Sequence, residues 1–318
     1  MPKLNFLKPK KKKNNFIIIE IGLEKITCAI FEKEEKQLKL LGIGKKRFSS
    51  QDEVFDTVLE ALDSLAAIVP DLPTDGILGI SGGSLETVTT IARYQRKNSK
   101  KPIKLDETQE TLDQVVENLD KEDKKVFFSI VSSANIDGVR VSNPLGLKGE
   151  KVELACFAAL KDTTEIELLD RLMSEIDVKI EKIAPTSYAV AKLLAKKNLR
   201  DVLIFRVGKE RSELTVMQDG HISEILPVSI GAEELDLLPV TWEVAIKKFD
   251  KDKKPDLVWL FADNDQVDLE KIKKLLEEFS WRKKLDFELD PRVEIAGNIQ
   301  NFSSSDIGIY ALSQQEVE

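Results

Sequence analysis

The sequence is poor in the residues that most often build metal sites, disulfides and phosphate-binding loops. Its 318 residues include two cysteines, one histidine and 15 glycines. Cys28 and Cys156 are too few and too far apart for a disulfide framework or a zinc site, which favours a reducing, cytoplasmic location. No apolar run approaches the roughly 18 residues of a membrane-spanning helix, and we expect no secretory signal.

An excess of positive charge is also missing, except near the start. Fifty-six acidic and 48 basic residues give a net charge of −8, which argues against nucleic-acid binding. Six lysines nevertheless lie within the first 13 residues, beside Leu4, Phe6 and Leu7. We interpret residues 1–14 as a basic tail, either solvated or in peripheral contact with an anionic membrane surface.

Residues 15–81 are predicted to form a β-β-β-α-β unit. Short apolar runs, typical of buried strands, indicate a three-stranded meander at Phe16–Ile21, Ile26–Phe31 and Gln37–Ile43. A helix is predicted to follow, with Ser50 and Glu53 as its capping box, and then a strand at 77–81.

Residues 82–183 are predicted to form a small α+β module. Its segments are an extended stretch at Leu85–Ile91, a basic loop at Arg93–Lys101, a helix near Asp106–Leu119, strands at Val126–Ser132 and Lys151–Leu160, and a helix with a capping box formed by Asp162 and Glu165.

The opening pattern partly returns after residue 184, which suggests an internal duplication. A helix is predicted through Lys197, followed by a second meander at Val202–Val207, Glu213–Gln218 and His221–Val228. Asp219-Gly220 is a hairpin-turn signal between its last two strands.

Four segments carry a resemblance to a known family. They are Glu20-Ile-Gly22, Ser81-Gly-Gly83, Asn143–Gly149 and Val202–Gly220. In this order they resemble the bacterial actin-like FtsA/PilM family, over roughly residues 15–312. The resemblance implies an α/β fold with two RNase-H-like domains around a nucleotide cleft, and an SHS2-type domain inserted in the first.

The resemblance also implies a division of the chain. We expect a tail at 1–14, the first part of domain 1 at 15–81, the insert at 82–183, a helix returning to domain 1 at 184–200, an abridged domain 2 at 201–304, and the final helix and tail of domain 1 at 305–318.

The nucleotide motifs of that family are degenerate here. The metal-holding loop Asp-x-Gly-Thr/Ser is matched by Glu20-Ile-Gly22-Leu23-Glu24, and the second loop, Asp-x-Gly-Gly-Gly-Thr, by Arg206-Val207-Gly208-Lys209. A third, glycine-rich motif is matched by a segment at 261–265 that has no glycine. If ATP and magnesium bound, the resemblance would assign them Glu20, Gly22, Arg206, Gly208 and Lys209, with Glu20 as metal ligand.

These departures predict a lost nucleotide site with no catalytic residue. The side chains of Lys209 and Glu210 replace glycines, and Arg206 reverses the charge of the metal-side carboxylate. Two other interpretations stay open for the cations: Arg206, Lys209 and Arg211 bind phosphate without magnesium, or they form surface or interdomain ion pairs.

Other apparent motifs favour structural roles. Gly79-Ile-Ser81-Gly-Gly83 lacks the helix and the histidine partner of a nucleophile elbow. Asp263, Asp265 and Asp268 lack the loop of a calcium hand, so we predict that they cap the next helix.

We therefore expect a catalytically silent, FtsA-like scaffold or adaptor, a pseudo-ATPase of cell division or envelope assembly. A PilM-like adaptor of type IV pilus assembly is the alternative, and a divergent ATP-binding ATPase is the second. The FtsZ-receiving subdomain that the resemblance implies is mostly absent, since only Ala232–Lys254 stand in its place.

Self-association through the insert is the remaining expectation. Its basic loop brings Arg93, Arg96, Lys97, Lys100 and Lys101 to an otherwise acidic body. An opposite-signed patch on a neighbouring copy would favour an open-ended contact that weakens with salt.

Overall fold

The computed structural model describes residues 15–34, 37–176, 178–247, 254–297, 299 and 302–316. The predicted tail at 1–14 lies outside these residues. The first sheet opens with an antiparallel meander of β1 (Asn15–Ile21), β2 (Lys25–Glu34) and β3 (Gln37–Arg47). Helix α1 (Val54–Ala66) then crosses over, and β4 (Asp75–Ile80) returns parallel to β1. This is the predicted β-β-β-α-β unit.

The inserted module contains a four-stranded sheet in the order β5-β8-β6-β7. Its elements are β5 (Glu86–Gln95), α2 (Leu105–Leu119), β6 (Lys124–Ile136), β7 (Val139–Val141) and β8 (Lys151–Asp162).

The insert ends earlier than the predicted residue 183. Helix α3 (Thr163–Glu175) packs its buried Leu169 and Leu172 into the core that α1 shares with the first sheet. Strand β9 (Lys179–Pro185) pairs in parallel with β4 and completes that sheet. Because α3 buries apolar side chains in the core of domain 1 and β9 pairs within the sheet of that domain, α3 and β9 belong to domain 1. Helix α4 (Thr186–Lys196) follows.

The second domain repeats the topology of the first. The sheet orders are β3-β2-β1-β4-β9 and β12-β11-β10-β13-β14. The second set comprises β10 (Val202–Val207), β11 (Ser212–Gln218), β12 (His221–Val228), α5 (Leu238–Lys247), β13 (Leu257–Ala262), α6 (Leu269–Glu278), α7 (Trp281–Leu285) and β14 (Arg292–Ile295). The chain then returns to domain 1, where α8 (Ile307–Ser313) packs on α4 and β1.

The predicted hairpin turn has the expected backbone. Asp219 and Gly220 have φ values of 52° and 80°, which is the left-handed geometry that Asp-Gly turns adopt between twisted strands.

Neither predicted capping box forms. The carboxylate of Glu53 accepts from the backbone N–H of Ser49 at 2.8 Å, because a short 3-10 turn separates Ser50 from α1. Asp162 precedes α3 without a side-chain cap, since Glu165 instead accepts from the backbone N–H of Ser84 and pairs with Lys161.

Two of the five basic residues of the predicted loop Arg93–Lys101 are paired with other residues of the insert. Arg93 lies in β5, 2.8 Å from Glu153. The side chain of Arg96 is only 7% exposed and donates to both carboxylate oxygens of Glu107. It also donates to the carbonyls of Lys101, Pro102 and Gly149. The predicted basic patch is therefore smaller than the sequence indicated.

Within the part of the chain that the structure describes, no helix has the length and apolar character needed to cross a membrane.

Candidate functional site

The candidate site lies where the two domains face each other. Strands β1 and β10 are equivalent in the repeated topology and end in loops at 22–24 and 208–211. Ligands of open α/β sheets bind at the carboxyl ends of such strands. In this chain, side chains of the two domains meet there.

A buried guanidinium forms the centre of the site. Arg206 is 1% exposed, and its Nη2 lies 2.8 Å from Glu20 Oε1 and 2.6 Å from Asp263 Oδ1. Its Nε donates to Asp263 Oδ1 at 2.8 Å and its Nη1 to Ser81 Oγ at 2.7 Å. Burial opposes the charged form, but the carboxylates of Glu20, Asp263 and Glu213 outweigh it and raise the pKa of Arg206.

The first loop binds a carboxylate from the other domain. The backbone N–H groups of Leu23 and Glu24 donate to the two oxygens of Asp263 at 3.0 and 2.9 Å. The sequence resemblance assigns these N–H groups to phosphate, whereas in the structure they are bound by Asp263.

The second loop is bound in the same way from the opposite side. The carboxylate of Glu24 accepts the backbone N–H groups of Lys209, Glu210 and Arg211 at 2.8, 2.6 and 2.8 Å. Asn264 Nδ2 adds a fourth contact to it at 3.3 Å. The two domains thus exchange carboxylates: Glu24 of the first domain binds the second loop, and Asp263, which follows β13 of the second domain, binds the first loop.

The two glycines that survive from the family motifs make room for this exchange. A Cβ atom on Gly22 would lie 2.7 Å from Arg206 Nη2 and from Asp263 Oδ1. A Cβ on Gly208 would lie 2.8 Å from Glu24 Oε1. Both glycines therefore face protein side chains rather than an open ligand space.

Another carboxyl joins the domains beside Arg206. Glu213 of β11 is 1% exposed, accepts the backbone N–H of Gly82 at 3.1 Å and accepts a hydrogen bond from the Ser187 hydroxyl. Burial raises the pKa of Glu213 despite the attraction of Arg206 and these hydrogen bonds.

The third degenerate motif is also filled by the protein. Asp265 accepts a hydrogen bond from the hydroxyl of Ser305, and buried Lys25 donates to the Ser305 carbonyl at 2.7 Å. Asp306 lies 3.6 Å from Lys25 and 2.6 Å from Lys45. Burial lowers the pKa of Lys25, although Asp263, Glu20 and Asp306 oppose it.

These residues do not fit Mg-ATP. The N–H groups that would meet phosphates are occupied by Asp263 and Glu24, and the cation beside Glu20 is a guanidinium. A Cβ on Gly308 would lie 2.1 Å from Glu20 Oε1, so α8 packs directly on that carboxylate. Glu20 Oε2 has no hydrogen-bond partner among the described residues. No group of three potential metal-binding side chains occurs among them.

Two cavities lie near the first loop. The cavity beside Gly22, Leu23 and Ser81, on the side of the first domain and its insert, holds about 10 Å³, at the lower limit for a single water. A separate pocket of about 300 Å³ lies at the rim, between Gln51, Gly83 and Arg211.

The structure brings together Glu20, Gly22, Arg206 and Gly208, four of the five residues that the resemblance assigns to the nucleotide motifs. Lys209 contributes its backbone only, because its ammonium pairs with Glu233 on the surface at 2.8 Å. The interdomain ion pair is thus the interpretation that the geometry favours for Arg206.

The prediction that three aspartates cap α6 is correct for one of them. Asp268 accepts the backbone N–H of Lys271, whereas Asp263 and Asp265 belong to the interdomain contacts. Sequence reasoning also missed that Glu24 binds the backbone of the second loop. The sequence signal for these interdomain contacts was an additional acid in the first loop, Glu24, another in the third motif, Asp263, and the cation Arg206 between them in the chain.

No family model matches the chain. Two curated relatives are similar in sequence, both the cell division protein FtsA of Helicobacter pylori strains. One is 22% identical over 272 residues, covering 72% of this chain and 55% of the relative. The other is 27% identical over 136 residues, covering 39% of this chain and 28% of the relative. The chain thus spans about half the length of the first relative and less of the second.

Two solved structures share the fold. The PilM-PilN type IV pilus biogenesis complex matches with a TM-score of 0.59 at 11% identity, over 95% of this chain and 98% of its own. A Bacteroides thetaiotaomicron protein with actin-like ATPase fold and unknown function matches with a TM-score of 0.52 at 11% identity, over 98% and 99%. The predicted α/β actin-like fold and the resemblance to FtsA and PilM are confirmed.

Replacing the central guanidinium is expected to cost more stability than any surface change. Arg206→Met leaves the carboxylates of Glu20 and Asp263 buried without their counter-charge, which typically costs about 3–5 kcal/mol. Lys209→Met, which removes an exposed cation from the neighbouring loop, is the control and should change little. Urea unfolding at pH 7.5 measures both, and equal stability of the two variants would contradict the central role of Arg206.

The loss of stability in Arg206→Met should also depend on pH. Because the folded-state pKa of Glu213 is raised, its contribution to stability is full below the unfolded-state pKa and is lost as the pH rises through the folded-state value. Removing Arg206 takes away an attraction that lowers the folded-state pKa of Glu213. This pKa therefore rises further, and more stability is lost at high pH. The stability difference between wild type and Arg206→Met should therefore be smaller at pH 5 than at pH 8.

Proposed function

We propose that this FtsA- and PilM-like chain is a catalytically silent scaffold or adaptor of bacterial cell division or envelope assembly. The observation that carries the proposal is the filled cleft, where Asp263 and Glu24 bind the backbone N–H groups of the two loops and Arg206 pairs with Glu20. An actin-like fold whose cleft binds its own side chains offers its surfaces to protein partners without a nucleotide cycle. Similarity to FtsA in sequence supports the division role.

A PilM-like role in type IV pilus assembly is the alternative, supported by the structural likeness to the PilM-PilN complex. A divergent ATPase with Glu20 as metal ligand is the second alternative. It would require Glu24, Asp263 and Arg206 to leave positions where each makes several hydrogen bonds or ion pairs.

The proposal predicts no stabilisation by Mg-ATP. A ligand present at 100 times its dissociation constant raises the free energy of unfolding by about 2.7 kcal/mol. We expect no change in melting temperature with millimolar Mg-ATP, because the N–H groups of both loops are already bound. A clear rise that disappears in Glu20→Ala would establish the divergent-ATPase alternative instead.

A groove at the junction of three parts of the chain is the surface we propose for a protein partner. It has a volume of about 440 Å³ and lies between the insert, α4 and the β11–β12 turn. Lys192 and Lys196 line it. Burial, together with Arg140 and Arg200, lowers the pKa of His221 at its edge. The apolar lining comprises Ile130, Val131, Tyr188, Ala191, Ala195 and Ile222. Such a surface suits an extended, acidic and apolar segment of a partner.

Depleting the protein in its host distinguishes the division role from the pilus role, and rescue by variants of the chain tests the groove. Filamentous cells would support division, whereas normal division with loss of surface pili would support the pilus alternative.

A copy carrying Lys192→Glu and Lys196→Glu is expected not to restore function, because both changes repel an acidic partner. Lys273→Glu with Lys274→Glu, on the solvent-facing side of α6, is the matched control. Equal rescue by both double variants would exclude the groove.

Peripheral membrane contact through the lysine-rich segment 1–14 is part of the proposal. Each basic residue near an anionic surface contributes roughly 1 kcal/mol. Vesicles containing phosphatidylserine should therefore pellet the whole chain at low salt and less of a form without residues 1–13. Equal pelleting of both forms at low and high salt would show that this segment does not mediate membrane contact.

Self-association through the insert stays a prediction. Arg93 and Arg96 are engaged within the insert, so such a contact would use the exposed Lys97, Lys100 and Lys101. Sedimentation velocity over a salt series tests it, and a monomer under all conditions would contradict it.

A further inference from the structure

We propose that the backbone of residues 209–211 is an anion-binding site that Glu24 fills as an internal ligand, and that this ligand holds the two domains closed. The inference deepens the proposed function, since it concerns the same cleft and says what replaces the nucleotide there. The ligand class of the site is a carboxylate or phosphate anion.

The geometry of the site is that of a built anion receptor. Three consecutive N–H groups converge on one carboxylate, two on Oε1 and one on Oε2, at 2.6 to 2.8 Å. Concave runs of backbone N–H groups of this kind favour negative charge, and hydrogen bonds to an ionised acceptor are among the stronger ones in proteins. The ammonium of Lys209 pairs with Glu233, so the backbone itself provides the binding.

The internal ligand comes from the opposite domain, and so does its counterpart. Glu24 lies in the loop after β1 and binds the loop after β10, while Asp263, at the end of β13, binds the N–H of Glu24. Opening the cleft would break both sets of hydrogen bonds together. This reciprocity is what makes the contact a lock between domains rather than a local loop interaction.

A second link joins the same domains at a distance from the cleft. The Thr87 hydroxyl of the insert accepts from the backbone N–H of Ile225 at 2.9 Å, and the Thr89 hydroxyl donates to the Ser223 carbonyl at 2.7 Å. Side chains of β5 thus contact the backbone of β12. The partner groove lies in the same region, between the insert and the β11–β12 turn, so a closed cleft keeps the groove assembled.

The lock makes a prediction about the unmodified chain. The amides of residues 209–211 lie in a loop, and loop amides usually exchange with solvent quickly. Hydrogen exchange followed by NMR should instead show them protected, together with the amides of Leu23 and Glu24. Fast exchange of all five amides in the wild type would overturn the proposal.

Removing the internal ligand provides the decisive comparison. In Glu24→Ala, exchange of the amides at 209–211 should accelerate at least tenfold. Inorganic phosphate or sulfate, at millimolar concentration, should restore protection and raise the melting temperature of this variant alone. Glu233→Ala is the matched control, because it removes one exposed carboxylate beside the same loop without touching its N–H groups. Exchange unchanged by Glu24→Ala, or changed equally by Glu233→Ala, would overturn the proposal.

The distance between the domains is the second readout. Spin labels at Asp63→Cys on α1 and Lys274→Cys on α6 should give one narrow distance distribution in the otherwise wild-type chain and a broader one with Glu24→Ala. Glu24→Gln, which keeps the shape and removes the charge, serves if the alanine variant does not fold. A distribution that stays narrow in whichever variant folds would overturn the lock. Binding of Mg-ATP to the wild type would instead defeat the proposed function.

Discussion

The guanidinium of Arg206 is the interaction on which the rest of the cleft depends. It lies between Glu20 of the first domain and Asp263 of the second, and all three side chains are almost fully buried. A buried carboxylate without a partner is costly, so the two acids are tolerated only because the cation is present. Because Arg206 balances its charge, Asp263 can bind the N–H groups of the first loop. The first loop in turn places the carboxylate of Glu24 against the second loop.

The site therefore has two facing loops at the ends of equivalent strands, and protein side chains lie between them. The repeated sheet topology places two loops opposite each other, and Gly22 and Gly208 keep each loop open to an approaching anion. In this chain the anions are side chains. The backbone N–H groups that bind these side chains join the two halves of the protein.

Local sequence patterns predicted the parts of the fold that depend on neighbours in the chain. The strands at 202–207 and 221–228 and the Asp219-Gly220 turn were predicted with their observed bounds, because alternation, apolar runs and turn residues are local signals. The capping boxes failed because Glu53 and Glu165 bind residues outside the predicted boxes. The role of Glu24 could not be predicted locally either, since its partners at 209–211 lie far along the chain and in another domain. The end of the insert was placed too late because the apolar face of α3 does not reveal which sheet it covers.

The charge cluster also restricts which changes in sequence the fold accepts, and in what order. Arg206 cannot be exchanged for an aspartate while Glu20 and Asp263 remain, because three acids would then share a buried site without the guanidinium that bridges them. Removing Asp263 first would leave the N–H groups of Leu23 and Glu24 without their acceptor. Each of these single substitutions is expected to lower stability. Gly22 and Gly208 do not relieve this, so only several coordinated substitutions could change the cluster without such a loss.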